Sequence, residues 1–237
     1  MIYLYSGTPG SGKSLHQAER IYNRLRAGKP VIANYEINTG VIRPRCRGEF
    51  TYVDNDNLTP DFLKSYAMRY FQEHKFREGA IWLFIDEAQI LFNARAWQAK
   101  GRSDWTAFFT QHRKYGYDIY FVSQFDRMLD RQIRSLIEYE VIHRKVSNFG
   151  VRGKLISLCS GGQLFVAVTM WYPMGEKTGS EFFKFHKRYQ KLYDSYKDFG
   201  NGFSAAAPKD MVGKTGKEAF KDEEVKRKMK LALASST

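Results

Sequence analysis

The sequence predicts an α/β protein with three layers: a central, mostly parallel sheet between helices, extended by a β-meander and followed by a basic C-terminal tail. Three observations predict it. Short apolar runs at 1–5, 80–85 and 118–123 end in small or polar residues, as strands buried on both faces do. Amphipathic helical segments alternate with these runs, which points to parallel pairing through crossover helices. A glycine-rich turn leaves the first run and leads directly into the first helical pattern.

Taken in order, residues 1–5 read as a buried strand stopped by Ser6-Gly7. Leu15, Ala18, Ile21, Tyr22 and Leu25 recur at three- and four-residue spacings, so 13–27 is an amphipathic helix with Gly28 placed to end it. Residues 30–35 form a second strand, and 40–57 are irregular and basic with one strand at 50–53. Thr59 is a helix cap with Pro60 in the first helical position, and Phe62, Leu63, Tyr66, Tyr70 and Phe71 carry that helix to 74. The run 80–85 is a central strand ending at Asp86-Glu87. A helix over 104–115 stops at Gly116, a strand follows at 118–123, and another helix covers 127–137. After 138 the pattern changes: EYEVIHRKVS, KLISL and QLFVAVTMWYP, divided by Gly150, Gly153 and Gly161-Gly162, predict the meander. A last helix spans 181–196, which divides the chain into a domain at 1–196 and a Gly-, Ala-, Ser- and Lys-rich tail at 197–237.

With 237 residues, 43% hydrophobic and 16% aromatic, the chain can bury a sizeable core, which excludes global disorder. Lys and Arg number 38 against 25 Asp and Glu, a net charge of +13. That charge suits nucleic acid, an anionic membrane leaflet or phosphate groups, and equally a solubilising surface; charge alone does not choose. Cys46 and Cys159 are far apart without a CxxC pair, which fits a reducing compartment with both thiols buried or idle. The five histidines lack metal-ligand spacing, the opening residues lack a signal-peptide apolar region, and no stretch approaches the 18 apolar residues of a bilayer span.

The chemistry centres on Gly7-Thr8-Pro9-Gly10-Ser11-Gly12-Lys13-Ser14, which fits GxxxxGK[ST] at every fixed position. Glycines let a backbone fold around phosphates with N–H groups inward, and the following helix presents its positive end to the same anion. Lys13 then reaches the outer phosphates of ATP, and the Ser14 hydroxyl ligates Mg²⁺. A chance match in a chain of this length is on the order of one in a hundred. The strand before it and the helix after it supply the context the motif requires.

A second element, Trp82-Leu83-Phe84-Ile85-Asp86-Glu87, delivers acids at the C-terminal end of an apolar strand, where α/β sheets bind ligands. Asp86 is a candidate for holding Mg²⁺ through water, and Glu87 for orienting and deprotonating an attacking water. Taken alone, Asp86 is as well explained as a helix cap and Glu87 as a surface acid; the upstream glycine loop favours the metal reading. At Ser123-Gln124, Gln124 either senses the γ-phosphate or is an ordinary polar strand end. Arg131 and Arg134, one helical turn apart, are candidate arginine fingers, with Arg113 as a competitor. Tyr115, Tyr117, Tyr120 and Phe121 interleave with basic residues and could stack on single-stranded bases, but core packing is the default for aromatics at strand spacing.

GTPGSGKS near the N-terminus, then IWLFIDEAQ, then HRKYGYDIYFVSQ followed by DRQIRSLIEYEV, resemble the zonular occludens toxin (Zot) N-terminal domain family over residues 1–170. That family includes the gene I assembly proteins of filamentous bacteriophages. The resemblance implies a P-loop ATPase with an extra catalytic acid, using ATP and Mg²⁺. It implies a place at the cytoplasmic face of the host inner membrane, powering phage assembly and extrusion through an envelope complex. Lys13, Ser14, Asp86 and Glu87 inherit the nucleotide and hydrolysis roles by motif, and Gln124 the sensing role. Expected partners are assembly and envelope-export proteins, phage single-stranded DNA or coat protein, the anionic membrane face and further copies in a ring. Family members usually continue into a membrane-spanning helix and an external domain. These are absent here, so either the chain is a cytoplasmic fragment or a partner anchors it. The basic stretch 209–230 suits a segment just before a membrane. The competing readings are an ATP-dependent scaffold with negligible hydrolysis and a DNA-translocating ATPase; a small-molecule kinase is disfavoured because no lid or acceptor site can be read.

Overall fold

The computed structural model describes residues 1–42, 48–94, 102–159, 161 and 163–193. The described residues form eight strands, seven at or within segments expected to be extended and one, β8, not foreseen: β1 Ile2–Ser6, β2 Val31–Ala33, β3 Phe50–Tyr52, β4 Ile81–Ile85, β5 Tyr117–Val122, β6 Tyr139–Lys145, β7 Leu164–Trp171 and β8 Glu176–Lys184. They form one sheet in the order β3-β2-β4-β5-β1-β6-β7-β8. Pairing is parallel from β3 through β6, and β7 and β8 add antiparallel as a meander.

Helices cover both faces. On one face α1 (Lys13–Arg26) packs Ala18, Ile21 and Leu25 against Tyr5, Phe84, Tyr120 and Val122. Phe84 stacks on Tyr120 at 4.5 Å, and the Arg24 guanidinium lies 4.4 Å over the Trp82 ring. The other face takes α2 (Pro60–Glu73) and α3 (Arg102–Gln111) against Leu4, Leu83, Ile85, Ile119 and Phe121. Successive strand residues thus alternate between two dry layers, which is why these strands read as unbroken apolar runs. Local signals hold where they are strong. Thr59 accepts the Phe62 N–H at 3.2 Å at the start of α2. Gly116, left-handed at φ 71°, ends the 3-10 turn that follows α3.

Three expectations are corrected. The helix foreseen at 127–137 is one α-turn, α4 (Arg131–Arg134), after a 3-10 turn at Asp126–Met128. Asp130 starts α4 late, accepting the Gln132 N–H at 2.9 Å, while Leu129 bridges Asn93. KLISL lies in α5 (Gly150–Cys159), not in a strand, because β7 pairs directly with β6 and leaves no place between them. The helix foreseen at 181–196 shrinks to α6 (Lys187–Leu192), because β8 claims residues through Lys184 by pairing with β7. Cys159 is a free, exposed thiol, so of the two states expected of it, buried or idle, burial does not hold. Cys46 and the tail at 197–237, like the end of the last predicted helix, lie outside the described residues.

Candidate active site

Strand β5 separates β1 from β4, so the C-terminal ends of three parallel strands lie side by side: Ser6, Val122 and Ile85. The glycine loop leaves β1 at this edge. Its Gly7 N–H donates to the Gln124 carbonyl at 3.2 Å, which ties the loop to the end of β5. Two positions require glycine. At Gly7 (φ 139°) a Cβ would sit 2.6 Å from the His143 carbonyl oxygen and 2.8 Å from Ser11 Oγ. At Gly12 (φ 97°) it would meet the Phe165 ring at 2.7 Å. Thr8, Pro9 and Gly10 form the exposed rim, while Ser11 is buried, its hydroxyl without a hydrogen bond among the described residues.

Lys13 and Ser14 open α1, both half-buried. The Lys13 ammonium donates to the Gly7 carbonyl at 2.5 Å and the Thr8 carbonyl at 3.3 Å, so it lies back across the loop. Burial holds its pKa below the usual lysine value, and the carboxylates of Asp86 and Glu87 oppose that shift.

Asp86 and Glu87 follow β4 in a turn, not at the start of a helix. Asn34, just past β2, clamps Asp86 from the neighbouring strand. Its Oδ1 accepts the Asp86 N–H at 2.7 Å, and its Nδ2 donates to the Asp86 carbonyl at 2.9 Å and to Asn55 Oδ1 at 2.8 Å. The Asp86 carboxylate accepts the Glu87 N–H at 2.9 Å and the Tyr193 hydroxyl at 2.5 Å. Tyr193 follows α6 and packs edge-on against Tyr35, ring centroids 5.1 Å apart. Glu87 is exposed, accepts a hydrogen bond from Gln89 Nε2, and at φ 45° is the one non-glycine residue at positive φ among those described.

Gln124 sits half-buried at the mouth of a cleft of about 440 Å³, lined also by Gly7, Thr8, Glu140, Lys145 and Phe149. Burial raises the Glu140 pKa, and the Ser6 hydroxyl donates to its carboxylate at 2.5 Å. Arg131 is exposed and Arg134 half-buried, and neither lines the cleft. Arg113 is ion-paired with Glu138, whose N–H donates to Ile2 at the opposite end of β1. Tyr117, Tyr120 and Phe121 are buried in the core, and the Tyr117 hydroxyl donates to the Leu63 carbonyl at 2.7 Å.

Beneath the loop runs a polar chain that is buried at His143 and His16 and reaches the surface at Glu181 and Arg20. His143 Nδ1 lies 3.2 Å from the Ser6 carbonyl and can only donate to it. With His143 neutral, its Nε2 then accepts from His16 Nδ1 at 2.8 Å. On the far side, His16 Nε2 meets Glu181 Oε1 at 2.6 Å, and Arg20 pairs with the same carboxylate at 3.1 Å. Burial and the neighbouring His16 push the His143 pKa down to about 3. The hydrogen bond from His16 is the largest cause holding Glu181 at about 2. The chain ties β1, β6, α1 and β8 together directly below the glycine loop.

Sequence reasoning found neither Asn34, Tyr193 nor the His16–His143 pair. Asn34 had one available signal, a polar residue closing an apolar strand. Tyr193 had none.

The family model for Zonular occludens toxin (Zot) matches residues 1–198. The "Gene 1 protein" of Enterobacteria phage I2-2 is 30% identical over 172 residues, covering 69% of this chain and 46% of the relative. That of Enterobacteria phage M13 is 28% identical over 173 residues, covering 69% and 48%. The chain therefore spans about half the length of these curated relatives. Among solved structures, the N-terminal domain of zonular occludens toxin from Neisseria meningitidis superposes with a TM-score of 0.50 at 19% identity, covering 81% of this chain and 98% of that one. The ATPase domain of G40P superposes at 0.52 and 10% identity, covering 81% and 84%. At these identities the structural likeness establishes a shared fold.

Proposed function

The chain belongs to the zonular occludens toxin (Zot) family, and from that membership we propose that it is an ATP-binding, ATP-hydrolysing motor for filamentous phage assembly and extrusion at the inner face of the bacterial inner membrane. The observation that carries the reading is the convergence of the glycine loop, the Asp86-Glu87 pair and Gln124 at the ends of three adjacent strands.

The residues fit a magnesium triphosphate. A Cβ would fill the cradle at Gly7 and Gly12, and Ser11 holds a buried hydroxyl without a partner among the described residues. When bound, the metal supplies positive charge against the phosphate oxygens. Loop N–H groups and the start of α1 hold the phosphates, and Lys13 adds a fixed cation. Ser14 and Asp86 are the residues that would hold magnesium. Glu87 orients a water and takes its proton. Gln124, bonded through its carbonyl to Gly7, would report loss of the γ-phosphate to the end of β5. Arg131 or Arg134 would act as a finger toward a neighbouring copy in a ring, since neither lines this chain's own cleft.

One observation favours the scaffold reading: Asp86 is engaged by Tyr193 and Glu87 by Gln89. Phosphate release by wild type and Glu87→Gln separates the two. A motor loses turnover on that substitution while keeping ATP affinity; equal measurable rates would remove Glu87 as the base, and ATP binding without phosphate release by wild type would leave the scaffold.

A further inference from the structure

Helix α5 faces the wrong way for a helix packed on a core. Its buried residues are the small ones, Gly153 and Ser157. Val151, Leu155 and Leu158, spaced i, i+4, i+7 on one face, are 84%, 62% and 75% exposed. Ile156 and, just before the helix, Phe149 widen the apolar surface. The orientation is fixed by close packing, because a Cβ on Gly153 would lie 2.2 Å from the Val146 carbonyl oxygen. No side chain larger than hydrogen can turn inward there, so the aliphatic face is held outward.

The sequence through this face carries charge of one sign. From Val141 to Gly175 the sequence contains no Asp or Glu, while Arg144, Lys145, Arg152 and Lys154 lie in or beside α5. Arg144, Arg152 and Lys154 are exposed. A second copy of a chain carrying +13 meets this patch with charge of its own sign. Val151, Leu155 and Leu158 project from the surface, and none of them lines the cleft. Projecting aliphatic side chains among cations match the interfacial zone of an anionic bilayer, where apolar residues enter the acyl boundary and Lys and Arg stay among headgroups.

We infer that α5 is a membrane-docking helix, with Val151, Leu155 and Leu158 inserted into an anionic leaflet and Arg152 and Lys154 on its headgroups. The inference rests on the membrane location proposed above only for which leaflet is met. The turn leading into α5 also lines the cleft at the glycine loop, through Asn148 and Phe149. Docking therefore fixes the candidate active site close to the bilayer surface.

Flotation of the full chain with vesicles of phosphatidylethanolamine and phosphatidylglycerol, against vesicles of phosphatidylcholine, tests it. Wild type should float with the anionic vesicles and release as salt rises. Leu155→Ser/Leu158→Ser should cut partitioning about tenfold or more. Arg152→Gln/Lys154→Gln should cut it roughly 30-fold, from about fivefold per cation. All four side chains are on the surface, so unchanged circular dichroism and ATP affinity should accompany both losses. The inference is overturned if wild type does not float, or if both variants float as wild type does. It is also overturned if the leucine pair abolishes self-association in sedimentation and leaves flotation intact. Single-stranded DNA binding lost with the charge pair, with flotation unchanged by the leucine pair, would assign the patch to nucleic acid instead. Flotation that depends on α5 in a protein that binds no ATP would keep this inference and remove the nucleotide reading.

Discussion

Replacing Asn34 should disturb the acid pair without altering either acid. Its side chain makes three hydrogen bonds, two to the Asp86 backbone at 2.7 and 2.9 Å and one to Asn55 at 2.8 Å. Each is part-buried, and a net contribution of about 1 kcal/mol per bond puts the cost of Asn34→Ala at about 2–3 kcal/mol. Asn34→Asp is the sharper probe. It keeps the acceptor for the Asp86 N–H but turns a carboxylate oxygen toward the Asp86 carbonyl and Asn55 Oδ1, beside a second carboxylate. It should therefore cost at least as much as alanine despite being nearly isosteric. Urea unfolding at unchanged m-value gives the stability, and a fluorescent ATP analogue titrated with Mg²⁺ gives the site's integrity. Both variants should need more Mg²⁺ for half-maximal binding. A loss below about 0.5 kcal/mol, within the usual range for surface substitutions, together with an unchanged Mg²⁺ midpoint, would refute the clamp.

Glu87→Gly should raise stability by about 1 kcal/mol, because it relieves a non-glycine residue at φ 45°, and should abolish turnover; thermal melts and phosphate release check the two halves. Tyr193→Phe removes the hydroxyl from Asp86 but keeps the ring on Tyr35, so nucleotide binding should reach its midpoint at lower Mg²⁺; a higher midpoint would mean that Tyr193 positions Asp86 instead of competing for it. Acid should destabilise the fold through His143. Its folded pKa of about 3 lies below the ordinary 6.5, so its stability contribution is complete above pH 6.5 and drains as pH falls toward 3. Glu181 acts with the same sign, but only between 4.5 and about 2. Denaturant midpoints of wild type should therefore fall from pH 7 to 5, and those of His143→Gln should fall less; parallel slopes would exclude His143 as the cause.

Much of the fold was legible because its signals are local or doubly buried. Strands β1, β4 and β5 have both faces covered, which leaves continuous apolar runs, and Thr59-Pro60 and Gly116 mark helix ends by their own stereochemistry. The glycine loop was legible for the same reason, since a backbone that must avoid the His143 carbonyl and the Phe165 ring admits few side chains. Strand β8 was not, because TGSEFFKF becomes a strand through long-range pairing such as Phe165 with Phe183. KLISL was ambiguous because a short apolar run suits a strand or a helix, and its outward-facing leucines defeat any core-based reading. Tyr193 reaches Asp86 across 107 residues and His16 meets His143 across 127, separations that no local pattern records.

The most direct measurement is the equilibrium affinity of wild type and Lys13→Ala for MgATP by titration calorimetry. The Lys13 ammonium is held over the loop by the loop's own carbonyls, and a charge-assisted bond to a phosphate oxygen is worth about 10- to 100-fold in binding. Saturable binding by wild type, weakened by that factor in the variant with its fold intact, is the expected result. Equal affinity in the two proteins, or no binding by wild type, would contradict a triphosphate held by the Gly7–Ser14 loop.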